Sequence, residues 1–132
     1  MDNRLKNEYG RWIGSMKWDY MLTLRTNYKL NEERVHKVSK KLYKDIPVID
    51  RMVYVGERDK VDRNNYHVHL LVSTGDTNGL HKQMIQRKKK YKGENIFIDS
   101  VWDNEGLGNY VTKHFDINNK LDKDIVWDIL IK

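Results

Sequence analysis

The chain has 132 residues, a formal charge of +6 from 25 basic and 19 acidic side chains, and no cysteine. That length suits one domain, residues 1–132, with a real core. The lack of thiols excludes disulfides, iron–sulfur clusters and thiolate zinc sites, so any metal is held by nitrogen and oxygen. No apolar stretch approaches the ~20 residues of a membrane helix. The first residues, MDNRLKNEYGRWIG, are too polar for a signal peptide. The expectation is a soluble intracellular protein with no membrane partner.

Leu5, Tyr9, Trp12, Ile13 and Met16 stand near helical spacing, a short amphipathic helix weakened by Gly10 and Gly14. WDYMLTLRT (18–26) alternates as a strand does. Trp18, Tyr20, Leu22 and Leu24 are expected on one face and Asp19, Met21, Thr23 and Arg25 on the other. Asn31 is placed to cap a helix, with Glu32 and Glu33 in its first turn. Val35, Val38, Leu42 and Ile46 then recur at helical spacing until Pro47 ends the segment. His36 lies among charged residues of this helix and is read as solvated.

IDRMVYVGER (49–58) reads as a second strand, DKVDRNN (59–65) as a polar loop and YHVHLLVS (66–73) as a third strand. The simplest arrangement of 49–73 is an antiparallel hairpin. Leu80 to Tyr91 is a basic helix with little apolar face. Ile96, Ile98 and Val101 mark another strand, and Leu107 to Phe115 a short helix. In the tail, Leu121, Ile125 and Ile129 fit a helix while Ile125, Trp127, Ile129 and Ile131 fit a strand; the helix is preferred. The sum is an α+β fold, a central antiparallel sheet with helices packed on one face.

The charge is uneven. HKQMIQRKKKYK (81–92) holds Lys82, Arg87, Lys88, Lys89, Lys90 and Lys92 and no acid. Such a run either attracts a polyanion or is a solvated helix face. Eight tyrosines and four tryptophans are compatible with base stacking, and equally with core packing.

His67 and His69 are the chemically distinctive pair. Two residues apart on a strand, they share a face. Across the expected hairpin, Glu57 would come opposite them. Two imidazoles and one carboxylate leave coordination positions open, as catalytic sites do and closed structural sites do not. The set suits Mn²⁺, Mg²⁺, Fe²⁺, Co²⁺ or Zn²⁺. Alternation also puts Val53 and Val55 on the face of Glu57, so either that face is partly buried or the strand bulges near Gly56.

Downstream, GLGNYVTKHF (106–115) places Tyr110 one helical turn from Lys113 and His114. A phenol with a pKa of about 10 needs a nearby cation, metal or base to attack as phenolate.

Glu57, YHVHLLV (66–72) and NYVTKHFD (109–116), in that order, resemble the nicking domains of the HUH endonucleases, in particular single-tyrosine rolling-circle replication initiators. YMLTLRT (20–26) looks like the weaker first motif of that family. The resemblance spans residues 18 to about 116. It implies a ferredoxin-like or RNA-recognition-motif-like sheet, a divalent metal (Mn²⁺ or Mg²⁺) on Glu57, His67 and His69, and Tyr110 as nucleophile with Lys113 beside it. His114 would be auxiliary or simply packed. The implied substrate is single-stranded DNA or a hairpin origin, cut through a 5′-phosphotyrosine. Arg25, Arg87, Lys88, Lys89, Lys90 and Lys92 are then candidates for the DNA backbone. The implied setting is a virus, phage or plasmid, in a prokaryotic cytoplasm or a eukaryotic nucleus, working with host or viral replication proteins. The apolar tail would serve a homodimer or a core equally well. The rival readings are a transposase or relaxase of the same superfamily, a non-catalytic single-stranded nucleic-acid-binding domain, and an iron(II) oxygenase.

Overall fold

A computed structural model describes residues 16–59, 61–62, 64–100 and 125–132. In chain order these form β1 (Tyr20–Thr26), α1 (Glu32–Asp45), β2 (Ile49–Arg58), β3 (Tyr66–Thr74), α2 (Thr77–Lys90), β4 (Glu94–Ser100) and β5 (Ile125–Ile131). The helices expected before Met16 and over 107–115 lie outside the described residues. Among the described residues, no helix is long and apolar enough to cross a membrane.

Every strand pairing is antiparallel, in the order β4-β1-β3-β2-β5. The first four strands and two helices follow the split β-α-β-β-α-β path. Both helices cover one face. There Leu22, Leu24, Tyr54, Val68, Leu70 and Val72 of the sheet meet Val35, Val38, Leu42 and Ile46 of α1 and Leu80 and Met84 of α2. This is the architecture expected from the sequence.

Local chemistry sets the helix ends. The Asn31 carboxamide oxygen accepts from the Arg34 amide at 2.8 Å, which caps α1. At the other end Ile46, with φ −120° and ψ 76°, has left the helical region, which the following proline disfavours. Asp76 caps α2 in the same way, accepting from the Gly79 amide at 2.8 Å. Gly56 serves packing: a Cβ there would lie 2.8 Å from Val35 Cγ1, so α1 crosses β2 where no side chain intervenes.

Three expectations are corrected. Trp18 precedes β1, so strand alternation does not reach it. It packs on the face opposite Leu22 and Leu24, with Val53, Val55 and Leu71. That same cluster explains the valines: the Glu57 face is partly buried, and the register shift in β2 lies between Ile49 and Arg51, not at Gly56. The tail is a strand. β5 pairs with β2 from Arg51↔Ile131 to Glu57↔Ile125. Val126 and Leu130 turn to the helix side, and Ile129 turns to the Trp18 cluster. Apolar residues are needed on both faces, which blurs the period. His36, finally, is half-buried, with Nδ1 2.5 Å from the hydroxyl of fully buried Tyr54. Burial first, then the Asp128 carboxylate, holds that phenol far above its ordinary pKa.

Arg87 is also unlike its basic neighbours. Its side chain is 3% exposed. Nε and Nη2 donate to the two carboxylate oxygens of Glu94 at 3.1 and 3.0 Å, and Nη1 donates to Asp45 at 2.5 Å. This one guanidinium ties the ends of both helices to the start of β4. Removing it leaves a buried Glu94 carboxylate without its cation. Arg87→Ala should therefore cost about 3–5 kcal/mol of stability, whereas Lys88→Ala or Lys89→Ala should stay within about 0.5 kcal/mol; urea unfolding midpoints test the contrast.

Candidate metal centre

The helix-free face of the sheet is divided. One part holds the Trp18 cluster with Met21, Val53, Leu71 and Ile129. The other holds polar side chains from three adjacent strands. β1 supplies Thr23 and Arg25, β2 supplies Glu57, and β3 supplies His67 and His69. The hairpin register sets their positions: Glu57 is directly opposite His67, Val55 opposite His69, and Thr23 opposite His69 from the other side.

One ligand atom from each of Glu57, His67 and His69 can be chosen so that all three lie within 4.8 Å of one another. All three residues are half-buried. Glu57 Oε1 stands 3.7 Å from His69 Nε2, too far for a hydrogen bond. Two donors bound to one cation at about 2.1 Å lie roughly 3–3.5 Å apart, so small side-chain adjustments suffice. The His67 and His69 rings meet edge to face, with centroids 5.0 Å apart and planes at 86°.

The imidazoles are held differently. His69 Nδ1 is 3.3 Å from Thr23 Oγ1. With the proton on Nδ1, the threonine accepts it and Nε2 keeps its lone pair toward Glu57. His67 Nδ1 is buried and has no hydrogen-bond partner among the described residues. Burial first, then the Arg25 guanidinium, pushes the His67 pKa below its ordinary value, with Asp59 opposing. His67 is therefore neutral at pH 7, the form that binds a metal. A neutral, buried ring nitrogen with no partner among the described residues, beside a second imidazole and a carboxylate, fits a divalent cation. The mixed nitrogen and oxygen donors do not select among Mn²⁺, Mg²⁺, Fe²⁺, Co²⁺ and Zn²⁺.

Arg25 lies on this same face, one step along β1 from the His69–Thr23 pair. Its guanidinium reaches Asp59 at 3.3 Å and is half exposed. Lys88, Lys89, Lys90 and Lys92 are exposed at the C-terminal end of α2 and just after it. They belong to the helix layer, behind the sheet. The chain turns there into β4, whose first residue pairs with Thr26, so they stand at the same end of the sheet as the histidines. Arg87, expected among the DNA contacts, is not available for one: its guanidinium is buried and fully engaged by Glu94 and Asp45. Tyr110, Lys113 and His114 lie outside the described residues.

Two residues were missed from sequence. Thr23 was placed on the correct face but given no role. Phe97, flanked by inward-turned Ile96 and Ile98, is 59% exposed and opposite Thr23 in β4, so it continues the row Val55–His69–Thr23 across the sheet. An aromatic between two core isoleucines was the available signal. No family model, curated protein or solved structure matches this chain.

Two outcomes are expected. Thr23→Val should weaken Mn²⁺ or Co²⁺ binding by about 10- to 100-fold while leaving the fold intact, as loss of a ligand-orienting hydrogen bond does; calorimetric titration measures it. In the metal-free protein the His67 ring should titrate below the ordinary 6.5. Proton competition at this ligand then begins only below that pH. Arg25→Gln removes a neighbouring cation and should move the midpoint up, toward 6.5, in an imidazole NMR titration.

Proposed function

We propose that the chain is a metal-dependent endonuclease and strand transferase for single-stranded DNA, of the kind that initiates rolling-circle replication. The observation that carries this reading is the convergence of Glu57, His67 and His69 on the helix-free sheet face. The Tyr110–Lys113 pattern in the sequence supplies the nucleophile.

In this reading Glu57, His67 and His69 hold a divalent cation, Mn²⁺ or Mg²⁺. Bound there, such an ion acts as a Lewis acid toward the scissile phosphate. Thr23 keeps the His69 Nε2 lone pair turned inward. Arg25 neutralises an adjoining phosphate. The Tyr110 phenolate oxygen attacks phosphorus, the bond from phosphorus to the 3′-oxygen breaks, and that oxygen leaves and takes up a proton. The products are a 5′-phosphotyrosyl ester and a free 3′-hydroxyl. The ester keeps the strand competent for rejoining. Lys113 offsets negative charge beside Tyr110. An unpaired strand or hairpin loop is the suitable substrate, because a nucleophile on one protein face does not easily reach a phosphate of an undistorted duplex.

Exposed Phe97 in the same cross-strand row favours a second reading, a domain that binds single-stranded nucleic acid by stacking bases on its sheet and does not cut it. One assay separates the two. Incubation with a library of single-stranded oligonucleotides and Mn²⁺, followed by a denaturing gel, should give a covalent protein–DNA band. Tyr110→Phe should abolish that band with DNA binding retained, and His67→Ala should remove its metal dependence. Binding without any adduct across the library favours the binder; undiminished adduct in Tyr110→Phe rejects the nucleophile.

A further inference from the structure

A cavity of about 270 Å³ lies on the helix side of the molecule, between α1 and the end of α2. Arg34, Lys37 and Lys41 line it from α1. Their spacing of three and four residues puts them on one stripe about 10 Å long. Tyr28 and Tyr91 stand at its other walls, and the Arg87–Glu94 pair also lines it. The carboxylates nearby do not cancel the stripe. Glu94 and Asp45 are already held by Arg87. Glu33 meets Lys37 at 3.0 Å, but both side chains are 74% exposed, and such a pair exchanges readily for another anion. Lys41 sits 4.6 Å from the Tyr91 ring centroid, and its ammonium holds the Tyr91 hydroxyl below its ordinary pKa. Counting Arg34, Lys37, Lys41 and Arg87 against Glu33, Asp45 and Glu94, the groove keeps a formal excess of one positive charge, and the three cations of the stripe are its exposed part.

The groove is also connected to the metal centre. Tyr28 follows the end of β1, three residues after Arg25. Tyr91 precedes β4, and the Asn27 amide donates to the Gly93 carbonyl at 2.9 Å between them. Chain three residues long spans at most about 10 Å. A strand leaving the metal centre past Arg25 can therefore round this end of the sheet directly into the groove.

We propose that the groove between the helices is a second binding site for single-stranded DNA, with backbone phosphates on Arg34, Lys37 and Lys41 and a base against Tyr28 or Tyr91. A cationic groove with aromatic walls is the usual chemistry of sequence-tolerant single-strand binding. The proposal rests on the reading of the substrate as single-stranded DNA. It does not require that the DNA be cut.

The test is fluorescence anisotropy with no metal present, as a function of salt. One protein carries Arg34→Gln, Lys37→Gln and Lys41→Gln. A control carries Lys40→Gln, Lys44→Gln and Lys132→Gln, which removes the same charge from the hollow between α1 and β5, two lysines on the helix and one just after the strand. With an oligonucleotide of about twenty nucleotides, the groove variant should bind about 10- to 100-fold more weakly at 0.1 M salt, and its log–log salt slope should fall by about two, from three lost phosphate contacts at about 0.7 each. The control should lose much less. With about six nucleotides, long enough to cover the stripe of about 10 Å, the groove variant should again bind more weakly than the control variant. An unchanged slope, or equal losses in the two variants, overturns the groove. Absence of a covalent adduct in the unaltered protein counts only against cutting and leaves this result as it stands.

Discussion

The pairing register of β2 with β3 is the constraint on which the candidate centre depends. Glu57 opposite His67 sets a carboxylate against an imidazole, and the pleat then puts His69 on the same face. Side chains alternate with a period of two, so a slip of one residue would send both histidines into the helix-covered core. The register is specified from both sides. Val68, Leu70 and Val72 must reach α1 and α2, while Val53, Val55 and Leu71 must meet Trp18. β5 closes the other edge of β2, so the backbone of Glu57 lies between two partners rather than at a sheet margin.

Partial burial then gives the polar half of this face its chemistry. A fully solvated HxH pair would bind a cation weakly and titrate normally. Here the apolar cluster beside the site and the guanidinium of Arg25 both disfavour a charged His67. Thr23 adds orientation to His69. The candidate site is therefore laid out by residues whose main task is to hold the sheet together.

Electrostatics elsewhere follows the same division between structure and surface. Five of the six cations in 82–92 point to water, but the sixth, Arg87, is consumed by Glu94 and Asp45. Meanwhile Arg34, Lys37 and Lys41, which look like ordinary solvated helix residues, face a groove because the α2 terminus packs beside them. The basic character of the chain is thus spread over two faces of one end of the sheet, not concentrated in the run that catches the eye.

Much was legible beforehand. Alternation marked β1 and the β2–β3 hairpin, and capping and periodicity marked α1, because these signals arise within a few residues of chain. The Glu57, His67 and His69 grouping was legible for the same reason: a hairpin is local, and its two strands carry all three residues. What sequence could not reveal depended on distant partners. The tail looked helical because an edge strand covered on both faces has no clean period. His36 looked solvated because its partner, Tyr54, comes from β2. Arg87 looked like one more lysine-rich-helix cation, because its carboxylates stand seven residues after it and forty-two before it. Thr23 came beside His69 only when β1 paired with β3, and Phe97 joined that row only when β4 paired with β1. The sequence by itself determined β1, α1, the β2–β3 hairpin and the grouping of Glu57, His67 and His69; the tertiary structure decided the form of the tail, which charges are buried, which aromatic is exposed, and which face each one serves, since burial is a property of packing between segments that no local pattern contains.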